Sequence, residues 1–228
     1  MFSDRRAAGE QLAAALAEVA KPDPLILAVP RGGVPVAFPV WRRLGGDLDI
    51  IQPRKIGSPF NPELAIGAVA PDGTELRDAA LIARLGVGED YLRREAARQA
   101  AEAARRLRFY RGDRPPPRVG GRHVILVDDG VATGITDLLA LRLLRRDGPA
   151  SLTLAVPVGP AESIARLRAV ADEVLCLEEP PAFQAVGEYY AAFPPVSDDE
   201  VIRLLKAAWE GTRLAPRESP LTPPDNER

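Results

Sequence analysis

The chain has 228 residues, 46% of them hydrophobic and 27% charged, with a net charge of −2. That size and balance describe one globular domain rather than two, and the near-neutral charge offers no basic field for nucleic acid or an anionic membrane surface. A single cysteine, Cys176, and a single histidine, His123, exclude an internal disulfide, a thiolate metal cluster and a multi-histidine metal site.

Ser3 or Asp4 can cap a first helix, predicted to run through Leu12, Leu16 and Val19 to about Ala20 and to stop at Pro22. The opening Met-Phe-Ser-Asp-Arg-Arg lacks the apolar core of a signal peptide, and no apolar run approaches the ~20 residues needed to span a bilayer, so the expectation is a cytoplasmic protein. A short apolar strand is predicted over Leu25–Val29, then a loop, Pro30 to Gly33. A helix over Val34–Leu44, made short or irregular by Pro35 and Pro39, and a strand over Leu48–Gln52 follow.

From Pro53 to Thr74 glycines and prolines break the pattern around a strand-like Ala65–Val69, which suggests a hairpin with a mobile tip. Gly88–Tyr110 reads as a long arginine-rich helix with a solvated face, and Arg114–Arg118 as an elbow. Strands at 123–128, 151–157 and 173–177 then alternate with helices at 134–146 and 161–171. Short apolar strands alternating with helices argue for an α/β protein whose parallel sheet is covered on both faces. A proline-rich aromatic segment, 178–195, precedes a last helix at 198–210. Residues 211–228, with four prolines and no core pattern, are expected to form a disordered tail. Cys176, inside an apolar run, is expected to be inert, and His123, opening a strand, to be structural.

The informative stretch is Val124-Ile-Leu-Val-Asp-Asp-Gly-Val-Ala-Thr-Gly-Ile-Thr136. Ligands of doubly wound sheets bind at the carboxyl ends of strands, which is where Asp128 and Asp129 fall. Gly130 to Gly134 then forms a tight turn into a helix, whose backbone N–H groups, with the Thr133 and Thr136 hydroxyls, suit a phosphate. The two acids can accept hydrogen bonds from the hydroxyls of an attached sugar, or approach a divalent metal through its waters. No Gly-Lys-Ser/Thr follows, and the spacing is not Gly-x-Gly-x-x-Gly, so neither common nucleotide-binding loop is present.

This stretch resembles the donor-binding motif of the type I phosphoribosyltransferases. The resemblance implies their α/β fold: a central, mostly parallel sheet flanked by helices, with a flexible loop and a small C-terminal hood, as a single domain over residues 1–210. It implies that Asp128 and Asp129 hold the ribose hydroxyls of phosphoribosyl pyrophosphate, and that Gly130, Val131, Ala132, Thr133, Gly134, Ile135 and Thr136 hold its 5′-phosphate. Val29-Pro-Arg-Gly-Gly33 stands where the family has its pyrophosphate loop. There Arg31 offers a guanidinium fork, and Gly32 and Gly33 let backbone amides come close to an anion.

Arg54 to Ala68 resembles the family's flexible lid, with Arg54 and Lys55 as candidates to meet the leaving pyrophosphate. The wording Gly57-x-Pro-x-Asn-Pro-Glu-Leu-Ala-Ile-Gly-Ala68 is also similar to a poorly characterised subgroup of phosphoribosyltransferase-domain proteins. Within the hood, Phe183, Gln184 and Tyr189 are the candidate acceptor pocket. Arg31, Lys55, Asp128 and Asp129 carry the implied catalysis. Mg²⁺ is expected mainly on substrate oxygens and water, with Asp128 and Asp129 as candidate protein ligands, and the protein is expected to be a homodimer. One departure matters: members acting on 6-oxopurines carry an aspartate immediately before the motif's threonine, and this chain has Ala132. The implied function is Mg²⁺-dependent transfer of ribose 5-phosphate to a nitrogen acceptor. The alternative is a protein that senses the donor or a nucleotide without turning it over.

Overall fold

In the computed structural model, residues 1–19 and 21–214 are described. The carboxylate of Asp4 accepts a hydrogen bond from the Ala7 amide at 2.8 Å and caps helix α1 (Arg5–Leu16). α1 stops at Leu16, short of Ala20, because its packed stripe ends there: Leu12, Ala13 and Leu16 are buried, whereas Val19 is 43% exposed. Strand β1 (Leu25–Ala28) is buried throughout, and after a short loop helix α2 (Gly33–Leu44) buries Val34, Val36, Ala37 and Val40. Pro35 lies in its first turn, where a missing N–H costs nothing.

After β2 (Asp47–Ile50), the irregular stretch resolves into β3 (Arg54–Gly57), β4 (Ala65–Val69) and β5 (Glu75–Arg77), an antiparallel sheet in the order β3-β4-β5. Helix α3 (Ala79–Leu85) is an element the sequence pattern does not suggest. It is capped by the Asp78 carboxylate, which accepts from the Leu81 amide at 2.9 Å. The remaining elements are α4 (Glu89–Arg111), β6 (His123–Val127), α5 (Ile135–Arg146), β7 (Ser151–Val158), α6 (Ala161–Arg168), β8 (Glu173–Glu178), a 3-10 turn at Val186–Tyr189, and α7 (Asp198–Leu214). α7 runs past residue 210, so the first positions of the expected tail are helical, and residues 215–228 lie outside the described part of the chain.

The main sheet is parallel throughout, in the order β2-β1-β6-β7-β8. Successive side chains of a strand point to opposite faces, and each face here has its own core. Ile26, Ala28, Ile50, Ile125 and Val127 pack under α1, α2 and α7. Leu25, Leu27, Val124, Leu126, Leu152 and Leu154 pack under α5 and α6 with Leu141, Leu144, Ile164 and Leu167. Double coverage is why the strands read as unbroken apolar runs. The small sheet is moored on both sides: Ile56, Ile66 and Val69 meet Leu92 and Ala96 of α4, while Ala68 and Ala70 meet Leu139 of α5.

α4 is pinned to the main sheet at its C-terminal end. Arg111 Nε donates to Asp49 Oδ1 at 3.1 Å and its Nη2 to the Ile50 carbonyl at 2.9 Å, with side-chain exposures of 10% and 3% for the ion pair. Removing one partner of a buried pair strands the other charge, at a cost of roughly 3–5 kcal/mol. Asp49→Ala is therefore expected to lower the unfolding free energy by about that amount in a urea titration. An unchanged midpoint would show that the pair does not anchor α4.

Candidate functional site

β1 and β6 are neighbours in register, Ala28 opposite Val127, so the loops that follow them leave the sheet side by side. The ladder continues one step further, the Val29 amide donating to the Val127 carbonyl at 2.9 Å. The Pro30–Arg31 peptide is cis. Gly32 and Gly33 are required here by close approach. A Cβ on Gly32 would lie 1.9 Å from Asp129 Oδ2, and one on Gly33 would lie 2.7 Å from the Val127 carbonyl oxygen. The Asp129 carboxylate thus rests directly on the backbone of the first loop.

Two acids in sequence at a buried strand end repel one another and are poorly hydrated. Asp128 Oδ1 accepts the Asp129 amide at 2.7 Å. Burial, reinforced by Asp137 and Asp129, nevertheless pushes the Asp128 carboxyl well above the usual carboxylate range. Burial also raises Asp129, against the pull of Arg5, whose Nε donates to Asp129 Oδ2 at 2.7 Å. The Asp129 carbonyl accepts from the Tyr190 hydroxyl at 2.6 Å, which ties the hood to the same residue.

Asp137, in the first turn of α5, is a third acid that the motif does not point to. It is 2% exposed, its Oδ1 has no hydrogen-bond partner, and burial pushes it up to about 6. The sequence does carry a signal for it. Asp137, Ala140, Leu141 and Leu144 follow the i, i+3, i+4, i+7 spacing of a helix face, so the acid occupies a core position of an otherwise apolar stripe.

α6 supports the turn between the acids and α5. Ser163 Oγ donates to the Ala132 carbonyl at 2.8 Å and Arg166 Nη2 to the Thr133 carbonyl at 3.1 Å. The Val131 amide donates to the Val158 carbonyl at 2.8 Å, so Val131 shapes the turn and its N–H is not free for an anion. Ala132 and Thr133 are exposed, and Gly134, Ile135 and Thr136 carry the turn into the positive end of α5.

The two basic residues assigned to the lid take different directions, as strand alternation requires. Arg54 turns toward α4, its Nε donating to Gln99 Oε1 at 2.6 Å, while Lys55 pairs with Glu63 of the hairpin tip at 2.6 Å. Arg31 lies 3.6 Å from Asp198 at the start of α7. In the hood, the Phe183 and Tyr189 rings stack at 5.6 Å, the Tyr189 hydroxyl donates to the Ala182 carbonyl at 2.8 Å, and Gln184 is exposed. Tyr190 and Phe193 pack instead with Phe2 in the N-terminal segment. Cys176 is half-buried with its thiol pushed up to about 12 by burial, and His123 pairs with Ser151 at the opposite end of β6 from the two acids.

Two strand-end loops in contact, with a carboxylate pair and a turn into a helix on a parallel sheet, are features of the type I phosphoribosyltransferase fold, and the chain belongs to that family. The phosphoribosyl transferase domain matches it over residues 5–193. It is 40% identical over 208 residues to a protein of two Mycobacterium tuberculosis strains, CDC 1551 and H37Rv, provisionally named a phosphoribosyl transferase. That match covers 91% of this chain and 47% of each relative, so the chain spans about half the length of the curated relatives it matches. The crystal structure of TT1426 from Thermus thermophilus is 45% identical and superposes with a TM-score of 0.75, covering 91% of this chain and 98% of that one.

Two outcomes are expected from these contacts. Gly32→Ala forces a methyl group into the Asp129 carboxylate, which Arg5 holds from the other side, so it is expected to lower the unfolding free energy by the ~1–3 kcal/mol typical of overpacking. An unchanged unfolding midpoint would show that the carboxylate is free to move aside. A carboxyl that holds its proton more tightly in the fold than in the open chain favours folding fully below about pH 4. It loses that contribution as the pH rises through its folded pKa of about 6. Asp137→Asn is therefore expected to gain stability relative to the parent between pH 4 and 6, by up to about 3 kcal/mol. A difference that is flat across that window would show that Asp137 is not held in its protonated form.

Proposed function

We propose that the chain catalyses transfer of ribose 5-phosphate from phosphoribosyl pyrophosphate to a nitrogen acceptor, releasing pyrophosphate. The observation that carries this reading is the direct packing of the Asp129 carboxylate on Gly32, which joins a sugar-binding acid pair to an anion-binding loop. Asp128 and Asp129 accept hydrogen bonds from the ribose 2′ and 3′ hydroxyls. The Gly130–Thr136 turn receives the 5′-phosphate at the positive end of α5, with amides from Ala132 onward and the Thr133 and Thr136 hydroxyls as donors. Arg31, with the Gly32 and Gly33 backbone, meets the pyrophosphate. Lys55 joins from the lid by exchanging Glu63 for the leaving group, while Arg54, bound to Gln99, braces the base of the hairpin on α4.

The acceptor nitrogen forms a bond to C1 of the ribose as the bond from C1 to the pyrophosphate oxygen breaks, with inversion. The electron pair departs on pyrophosphate and the acceptor gives up its proton. The chain contributes positioning and charge stabilisation, and closure of the lid excludes water from C1. The donors at the site are hard carboxylate oxygens, which suit Mg²⁺. In this reading Mg²⁺ is held mainly through substrate oxygens and water beside Asp128 and Asp129. When bound, Mg²⁺ stabilises the charge developing on the pyrophosphate. Phe183 and Tyr189, with Gln184 beside them, offer an aromatic face to a flat acceptor, and Ala132 supplies no acid for 6-oxopurine chemistry.

The test supplies phosphoribosyl pyrophosphate, Mg²⁺ and a panel of nitrogenous bases and follows pyrophosphate release. Acceptor-dependent release is expected, together with a loss of ~100-fold or more in donor affinity for the double variant Asp128→Asn, Asp129→Asn, since hydrogen bonds to charged groups contribute about 1.5–3 kcal/mol each. Donor binding without acceptor-dependent release would overturn the transferase reading in favour of a sensor.

A further inference from the structure

Arg5, the first residue of α1, lies outside every motif yet reaches the centre of the site. Its Nε donates to Asp129 Oδ2 at 2.7 Å, its Nη1 donates to the Pro194 carbonyl at 2.7 Å, and its guanidinium carbon sits 3.6 Å from the centroid of the Phe193 ring. The side chain is only 11% exposed. The residues before it are stitched to the same hood. The Phe2 amide donates to the Tyr189 carbonyl at 2.8 Å, the Ala191 amide to the Phe2 carbonyl at 2.8 Å, and the Ala192 amide to the Ser3 carbonyl at 2.9 Å. Tyr190 completes the junction from the hood side through its hydrogen bond to the Asp129 carbonyl.

From this convergence we infer that Arg5 is a positioning residue for the donor: it fixes the direction of the Asp129 carboxylate and makes the hood part of the sugar site. Asp129 lies between two neighbours, the Arg5 guanidinium and the Gly32 backbone. Among the described residues, Arg5 is the cation that forms an ion pair with either acid, so it also offsets one of two adjacent negative charges. Its contact orients the acid without blocking it. A carboxylate oxygen accepts more than one hydrogen bond, and the Asp129 side chain stays 17% exposed, open to a sugar hydroxyl. Arginine suits this place: its planar fork can meet a carboxylate, a carbonyl and an aromatic face at once in one fixed geometry, which the compact point charge of lysine lacks. Because Phe193 and Pro194 belong to the segment that carries the candidate acceptor residues, the same side chain links the donor half of the site to the acceptor half.

The inference rests on the proposal that Asp128 and Asp129 hold the donor ribose. It is tested on the full chain by calorimetric titration of phosphoribosyl pyrophosphate with Mg²⁺, alongside thermal unfolding, for the parent, Arg5→Met, Arg5→Lys and Arg5→Ala. The parent is expected to bind. Arg5→Met should bind about 10–100-fold more weakly, the range for losing a hydrogen bond to a charged group, and Arg5→Lys should fall between them. Methylguanidinium added to Arg5→Ala should restore affinity in a saturable way, a response that general loosening of the fold would not give. Equal or tighter donor binding by Arg5→Met overturns the inference, as does the absence of methylguanidinium rescue in Arg5→Ala. A parent chain that does not bind the donor overturns the functional reading itself, which separates the two failures.

Discussion

The structure turns on keeping two adjacent carboxylates at the buried end of a parallel strand. Left alone, Asp128 and Asp129 would bear both a desolvation penalty and mutual repulsion. Each is answered by a neighbour. The Asp129 amide donates to Asp128, Arg5 donates to Asp129, and the absence of a side chain at position 32 gives the Asp129 carboxylate a place to lie. Asp137, buried with one oxygen unpartnered, adds a third acid and leaves the cluster incompletely satisfied. Buried polar groups without partners are uncommon in folded proteins and gather where a ligand completes them.

The rest of the fold delivers those neighbours. Parallel pairing of β1 with β6 brings the Pro30–Gly33 loop against the acids, and α6 takes up the turn carbonyls at Ala132 and Thr133. α1 supplies Arg5 and α7 supplies Asp198, which pairs with Arg31 and accepts a hydrogen bond from Tyr110 of α4 at 2.6 Å. Three of the charged groups proposed to meet the donor are thus each held by an opposite charge: Asp129 by Arg5, Arg31 by Asp198, Lys55 by Glu63. In the proposed reaction Arg31 and Lys55 exchange these partners for the pyrophosphate, while Asp129 keeps Arg5 and accepts the sugar hydroxyl in addition.

The parallel sheet and its βα order were legible in the sequence, because strands buried on both faces leave unbroken apolar runs and their connections leave helical periodicity. The acid pair and the glycine loops were legible for the same reason: each is short, contiguous and set at a strand end. Arg5 was not, because its contact with Asp129 joins residues 124 positions apart and no local pattern encodes that pairing. Asp137 was written into the apolar stripe of α5 and is visible only when a polar residue is asked for at a core position. α3 is seven residues long with none fully buried, and its stripe is one turn of partly buried side chains, Leu81, Ile82 and Leu85. Arg54 and Lys55 looked alike as neighbours in the sequence, and only the alternation of β3 separates the one that packs on α4 from the one that faces the lid tip. The Val131 amide belongs to the same class: its bond joins it to Val158, the last residue of β7, 27 positions on.

The central claim is that the acid pair and the adjoining loops form one donor site. A crystal structure of the chain with phosphoribosyl pyrophosphate and Mg²⁺ tests it most directly. The expected density places the ribose hydroxyls on Asp128 and Asp129, the 5′-phosphate over the turn ending at Thr136, and the pyrophosphate against Arg31 and Gly32. Donor bound elsewhere, with the Asp129 carboxylate contacting only Arg5, would contradict it.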